Sequence, residues 1–274
     1  FFSSKMSMII ATMVMAAILA QSNGKVLPNL VMVLTDDLGW NAPGYMNPKI
    51  ISPNLDQLAN SGIKMDRMYV YRYCAPTRAS FLTGRYPYRL SATRANLIPW
   101  SLPDGINITY TYLPKKLKEA GYISHHVGKW HNGFYKYDMT PPGRGFDTSF
   151  GFLVGGEDHF TSITGNCNGF QGGDIVDLSY GFAHNRSVFP SNLNGTYTGV
   201  LFSNRARDVV NQHPATSPLF LYMALHNTHG PYEAPADYVG LYNFPIDREN
   251  HLYVLVVIII IVVIIVVDFI IIAV

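Results

Sequence analysis

The chain has 274 residues, with 20 basic and 18 acidic side chains for a net charge of +2. That is long enough to bury a large core, and the near balance of charge excludes a nucleic-acid coat or an acidic tail as the main theme. Only 14% of residues are charged and 48% are hydrophobic, and the apolar excess is concentrated at the two ends.

In chain order, residues 1–20 place Lys5 before an apolar run from Met8 to Ala20, followed by Gln21, Ser22 and Asn23. A basic start, an apolar stretch and a small residue at the cut predict a signal peptide. The chain is therefore expected in the secretory pathway, lysosomal or extracellular. Sequons at Asn107, Asn185 and Asn194 point the same way. Residues 29–34 (NLVMVL) predict a short buried strand ending at Thr35-Asp36-Asp37. A helix is predicted over 55–61, with Asn54 as its N-cap and Gly62 as its stop. A second covers 113–120, with Pro114 near its start and Gly121 at its end. Residues 122–127 predict a strand that runs into Gly128-Lys129-Trp130-His131. A longer helix over 199–212 and a buried strand over 218–225 follow, the latter leading to His229. This alternation predicts an α/β fold: a mostly parallel sheet with helices on both faces. Ligands in such sheets bind beyond the carboxyl ends of the strands. Asp36, Asp37, Lys129, His131 and His229 are all expected on that rim. His226 is read as structural, and no role falls to His125 or His126.

The most specific motif is Cys74-Ala75-Pro76-Thr77-Arg78, continuing to Leu82-Thr83-Gly84-Arg85. With Asp36-Asp37, Gly128-Lys129-Trp130-His131 and the His229 segment, it resembles the type I sulfatase family. Arg144 to Asp147, Phe150 to Phe152 and Gly155 to His159 are most similar to the arylsulfatase B group, which acts on N-acetylgalactosamine sulfates of glycosaminoglycans. The resemblance implies an alkaline-phosphatase-like fold and hydrolysis of sulfate esters on a sulfated carbohydrate. It further implies that a formylglycine-generating enzyme oxidises Cys74 to formylglycine, the nucleophile. Asp36, Asp37 and residue 74 would then bind one Ca²⁺, and Arg78, Lys129, His131 and His229 would surround the sulfate. Independently of the family, Pro76 suits the first turn of a helix that puts Cys74 at its N-terminus. Arg78 supplies a fixed donor fork for an oxyanion.

Cys74 and Cys167 are the only cysteines, too few for a disulfide framework, and Cys167 is expected to be a free thiol or to pair outside this chain. The resemblance covers 27–251, an N-terminal catalytic portion. It stops before the Asp-Asn pair and the Lys that the family implies, so two carboxylates fall short of the six to eight oxygens Ca²⁺ takes. The sheet is accordingly expected to lack neighbours. Residues 254–274 are almost all Val or Ile, with Asp268 the only charge. Two readings stand open for them: a gene-model artefact, or a membrane anchor of sufficient length. A second functional reading is an inactive, membrane-tethered protein that binds sulfated glycans.

Overall fold

A computed structural model describes residues 27–90, 104–164, 175–176, 179–183, 186–188, 195–242 and 269–273. The strands in chain order are β1 (Asn29–Leu34), β2 (Ile123–Lys129), β3 (Thr148–Phe152), β4 (Ile163–Thr164), β5 (Ile175–Val176), β6 (Ser179–Ala183), β7 (Arg186–Val188), β8 (Leu219–Ala224) and β9 (Phe269–Ala273). The helices are α1 (Pro53–Ser61), α2 (Cys74–Thr83), α3 (Leu113–Glu119), α4 (Thr198–Gln212) and the short α5 (Ala236–Val239). One sheet has the order β7-β6-β3-β2-β8-β1-β9, and β4 with β5 forms a separate pair. From β3 to β9 the sheet is parallel, and β6 and β7 add an antiparallel edge.

The period-two alternation of the central strands divides the core into two layers. Met32, Leu34, Phe220, Tyr222 and Ala224 pack with Ala75, Ala79 and Leu82 of α2 and Leu117 of α3. Val31, Val33, Leu221 and Met223 point the other way, against Leu201, Phe202, Ala206 and Val209 of α4. All six residues of β8 are buried, as a parallel strand covered on both faces requires. Helix α2 buries Ala75, Arg78, Ala79 and Leu82, the i, i+3, i+4, i+7 stripe of one helical face. The predicted helices on both faces are therefore present.

Boundaries shift where backbone chemistry outweighs side-chain pattern. Helix α1 begins at Pro53 with Ser52, not Asn54, at its N-cap, because proline is favoured in the first turn. Helix α3 is capped at Ala120, one residue before Gly121. Strand β2 extends to Lys129, past the predicted end, because Gly128 and Lys129 pair with Gly151 and Phe152 of β3. A Cβ on Gly128 would stand 2.0 Å from the Ala224 carbonyl oxygen, and one on Gly151 would stand 2.0 Å from that of Gly128. Three backbones meet there at a distance only glycine permits.

The stretch over 1–20 expected to be a signal peptide, Asn185, Asn194, Cys167 and residues 254–268 lie outside the described residues. Among those described, no helix is long and apolar enough to cross a membrane. The last part of the Val/Ile tail forms β9, in register from Asn29↔Phe269 to Val33↔Ala273. The sheet, expected to lack neighbours, thus carries β9 beside β1, in keeping with the strand preference of β-branched residues.

Candidate active site

The ladder between β1 and β8 continues past both strands. Leu225 N donates to Leu34 O at 2.8 Å, and Asp36 N donates to Asn227 O at 2.9 Å. These bonds fix the backbone of Asp36 at the carboxyl rim of the sheet. Its side chain turns inward and is 3% exposed. Lys129 Nζ donates to Asp36 Oδ2, and Arg78 Nη2 lies 3.5 Å from Oδ1. Both cations are buried, at 0% and 1% exposure. Burial alone would push the Asp36 carboxyl upward, but Arg78 and Lys129 outweigh it and hold the group below its usual 3.8. One carboxylate against two desolvated cations leaves a net positive charge, which makes the spot attractive to an anion.

Cys74 opens α2 and is half-buried. Its Sγ lies 3.4 Å from His131 Nδ1. Burial, reinforced by the positive charge of Lys129 and Arg78, keeps the His131 imidazole well below its ordinary pKa. His131 is thus neutral near pH 7, and its ring nitrogen is a base within reach of residue 74. The loop after β3 passes close to this ring and to His229. A Cβ on Gly155 would fall 2.7 Å from His131 Cε1, and one on Gly156 would fall 3.2 Å from His229 Cε1. His229 follows β8, and its Nδ1 donates to Gly230 O at 2.7 Å. A carbonyl only accepts, so Nε2 is the nitrogen left for a ligand. His229 also acts electrostatically on Asp36 and His131. Cys74, Arg78, Lys129, His131, Asp36 and His229 therefore form one site.

Asp37 differs from its neighbour. Its side chain is exposed, φ is 56°, and its carbonyl accepts from Thr228 Oγ1 at 3.0 Å. Among the described residues, no three His, Cys, Asp or Glu side chains are grouped to hold a metal ion. Both Asp36 oxygens face cations. The donor set expected for Ca²⁺ (Asp36, Asp37 and residue 74) does not by itself make a site for that ion.

Three residues at the site's margin take no role from the sequence: His159 and Asn227, which lie inside motif segments, and Tyr222, which has no motif. His159 Nε2 donates to His229 O at 3.1 Å, and its ring stacks on His226 with centroids 4.3 Å apart. Asn227 Nδ2 donates to Tyr197 Oη at 2.7 Å beneath the same loop. Tyr222 stands under Arg78 in a strand that reads as wholly apolar. His226 is packed as structure: it is 0% exposed, lies edge-on to Phe152 at 5.0 Å, and burial keeps its pKa well below 6.5.

A parallel α/β sheet with buried cations at its carboxyl rim is here the alkaline-phosphatase-like fold, shared with solved sulfatases. The structure of Ps i-CgsB superposes with a TM-score of 0.73 at 27% identity, covering 85% of this chain and 52% of that one. That of BT4656 with D-glucosamine-2-N,6-O-disulfate gives 0.57 at 22%, covering 80% and 38%, and speaks to the fold alone. Residues 28–251 match the Sulfatase family model. Arylsulfatase J of Mus musculus is 35% identical over 238 residues, 87% of this chain and 38% of the relative. N-acetylgalactosamine-6-sulfatase of Homo sapiens is 32% identical over 227 residues, 78% of this chain and 42% of the relative. The chain belongs to the sulfatase family. It spans about two fifths of the length of these curated relatives.

Proposed function

We propose that this chain is the catalytic N-terminal portion of a secretory-pathway sulfatase that hydrolyses sulfate esters of a glycosaminoglycan-type sugar. One observation carries the reading: residue 74 heads a helix within reach of a neutral His131, beside two buried cations that share one carboxylate. One relative supports the carbohydrate class, being named for N-acetylgalactosamine 6-sulfate, and the other, an arylsulfatase, supports sulfate-ester hydrolysis. The 4-sulfate of N-acetylgalactosamine is the substrate first tested.

The position of Cys74 fits conversion to formylglycine by a formylglycine-generating enzyme, being half-exposed and next to a base. The hydrated aldehyde supplies one oxygen to attack sulfur and a second hydroxyl whose deprotonation releases the sulfate. The residues around it divide the remaining work. His131 Nδ1 takes a proton from the residue 74 hydroxyl. Arg78 and Lys129 hold the sulfate oxygens, the first as a planar fork and the second as a point charge. His229, as the imidazolium with Nδ1–H kept on Gly230 O, delivers the Nε2 proton to the departing alcohol oxygen and is left neutral. Asn107 is exposed, and its Oδ1 accepts from Thr109 N and Oγ1 at 2.9 Å, so it is the described sequon available for glycosylation.

The test is expression in a eukaryotic secretory host, mass spectrometry of the residue 74 peptide for the aldehyde, and assay with N-acetylgalactosamine 4-sulfate beside an aryl sulfate. Aldehyde and turnover, both lost in Cys74→Ala and Cys74→Ser, are the expected results. An unmodified Cys74 or full activity in either variant would overturn the nucleophile. The two-carboxylate metal set favours a second reading, binding of sulfated glycan without turnover. Calorimetric sulfate binding with an aldehyde but no hydrolysis would select it.

A further inference from the structure

The buried guanidinium of Arg78 is held loosely by its charged and carbonyl neighbours. Its Nη2 is 3.5 Å from Asp36 Oδ1, and its Nη1 donates to Lys129 O at 3.4 Å. Both distances are beyond the 2.7–3.2 Å of a strong bond. Arg78 Nε has no partner among the described residues. A guanidinium presents five donors in a rigid plane, so an anion bound to it is only as well placed as that plane.

A further polar neighbour is Tyr222. It lies in β8, is 0% exposed, and interrupts an otherwise apolar strand (LFLYMA). Its hydroxyl interacts with the Arg78 guanidinium without reaching good hydrogen-bond geometry, and it has no other partner among the described residues. The ring itself is fixed. It stacks on Phe81 at 5.7 Å and on Phe146 at 6.1 Å, and His126 lies 5.9 Å away. Phe81 sits three residues beyond Arg78 on α2, so the helix that carries the guanidinium also clamps the ring.

Packing accounts for the ring and leaves the hydroxyl unexplained. Phenylalanine would fill the same space without burying a polar group. On the reading of the site as a sulfate site, we propose that Tyr222 is a positioning residue whose hydroxyl oxygen accepts from Arg78 and sets the plane of the guanidinium against the sulfate. Tyr222 itself touches neither the sulfate nor residue 74.

The experiment is calorimetric titration of inorganic sulfate into the whole chain in four forms: unmutated, Tyr222→Phe, Arg78→Lys and the double variant. Thermal unfolding is recorded for each. Phenylalanine keeps the ring stack, so the fold is expected to be retained. Removing the hydroxyl should weaken sulfate binding about three- to ten-fold in the Arg78 background. It should change nothing once Arg78 is lysine, because the plane it sets is gone. A purely structural role would weaken binding equally in both backgrounds, and that result, or unchanged affinity in Tyr222→Phe, would overturn the proposal. No sulfate binding by the unmutated chain would instead sink the sulfate site itself, and this inference with it.

Discussion

Asp36 and Asp37 are adjacent carboxylates in one motif, and the fold gives them different work. Asp36 is the counter-charge of two buried cations, while Asp37 is exposed. Removing one partner of a buried ion set leaves the others uncompensated, at a cost of about 3–5 kcal/mol. Asp36→Asn is therefore expected to lose about that much stability, and Asp37→Asn within about 0.5 kcal/mol. Urea unfolding of the two variants checks this, and equal losses would refute the division. In the sequence the two residues are indistinguishable. What separates them is a backbone turn, with φ of 56° at Asp37, which no residue pattern announced. The site residues readable from the sequence were those held in fixed motifs. His159 closes a motif segment, but its role rests on His229 and His226, far along the chain, and Tyr222 has no local signature at all.

Elements were legible in proportion to how completely they are buried. The continuous apolar runs of β1 and β8 appear almost where the pattern puts them. Strand β3 did not stand out, because TSFGF is short and broken by Gly151. It pairs with β2 from His125↔Thr148 to Lys129↔Phe152, and Gly128 meets Gly151 at close approach. That contact carries a further expectation. Gly128 has φ of 103°, and a Cβ there would strike the Ala224 carbonyl oxygen of β8. Gly128→Ala should cost more than about 1 kcal/mol, and it should displace Lys129, the next residue in β2. Chemical unfolding reads the first effect. Sulfate titration reads the second, as weaker binding in whatever fraction remains folded. A variant with unchanged stability would mean that β2 and β8 do not approach so closely.

At the scale of the whole molecule, the low charge count hides a concentration of histidines in the interior. Burial pulls His126 down to about 3 and His125 down to about 4, and lowers His131, His159 and His226 as well. An unfolded histidine titrates near 6.5. Between that value and the depressed folded value, only the unfolded chain binds the proton, so stability is present above 6.5 and is lost as pH falls. For His126, whose Nδ1 meets Ser149 Oγ at 2.9 Å, the loss at pH 5 is about 2 kcal/mol. The other four add in the same direction. The Asp36 carboxyl acts in a lower window, below its ordinary 3.8, so a decline between pH 7 and pH 5 belongs to the histidines. Urea unfolding at the two pH values should show that decline, and His126→Asn should recover about 2 kcal/mol of the difference between them. A flat profile over this range would mean that the interior histidines already exchange protons with water in the folded state. The dry pocket that keeps His131 neutral beside residue 74 would then be lost with it.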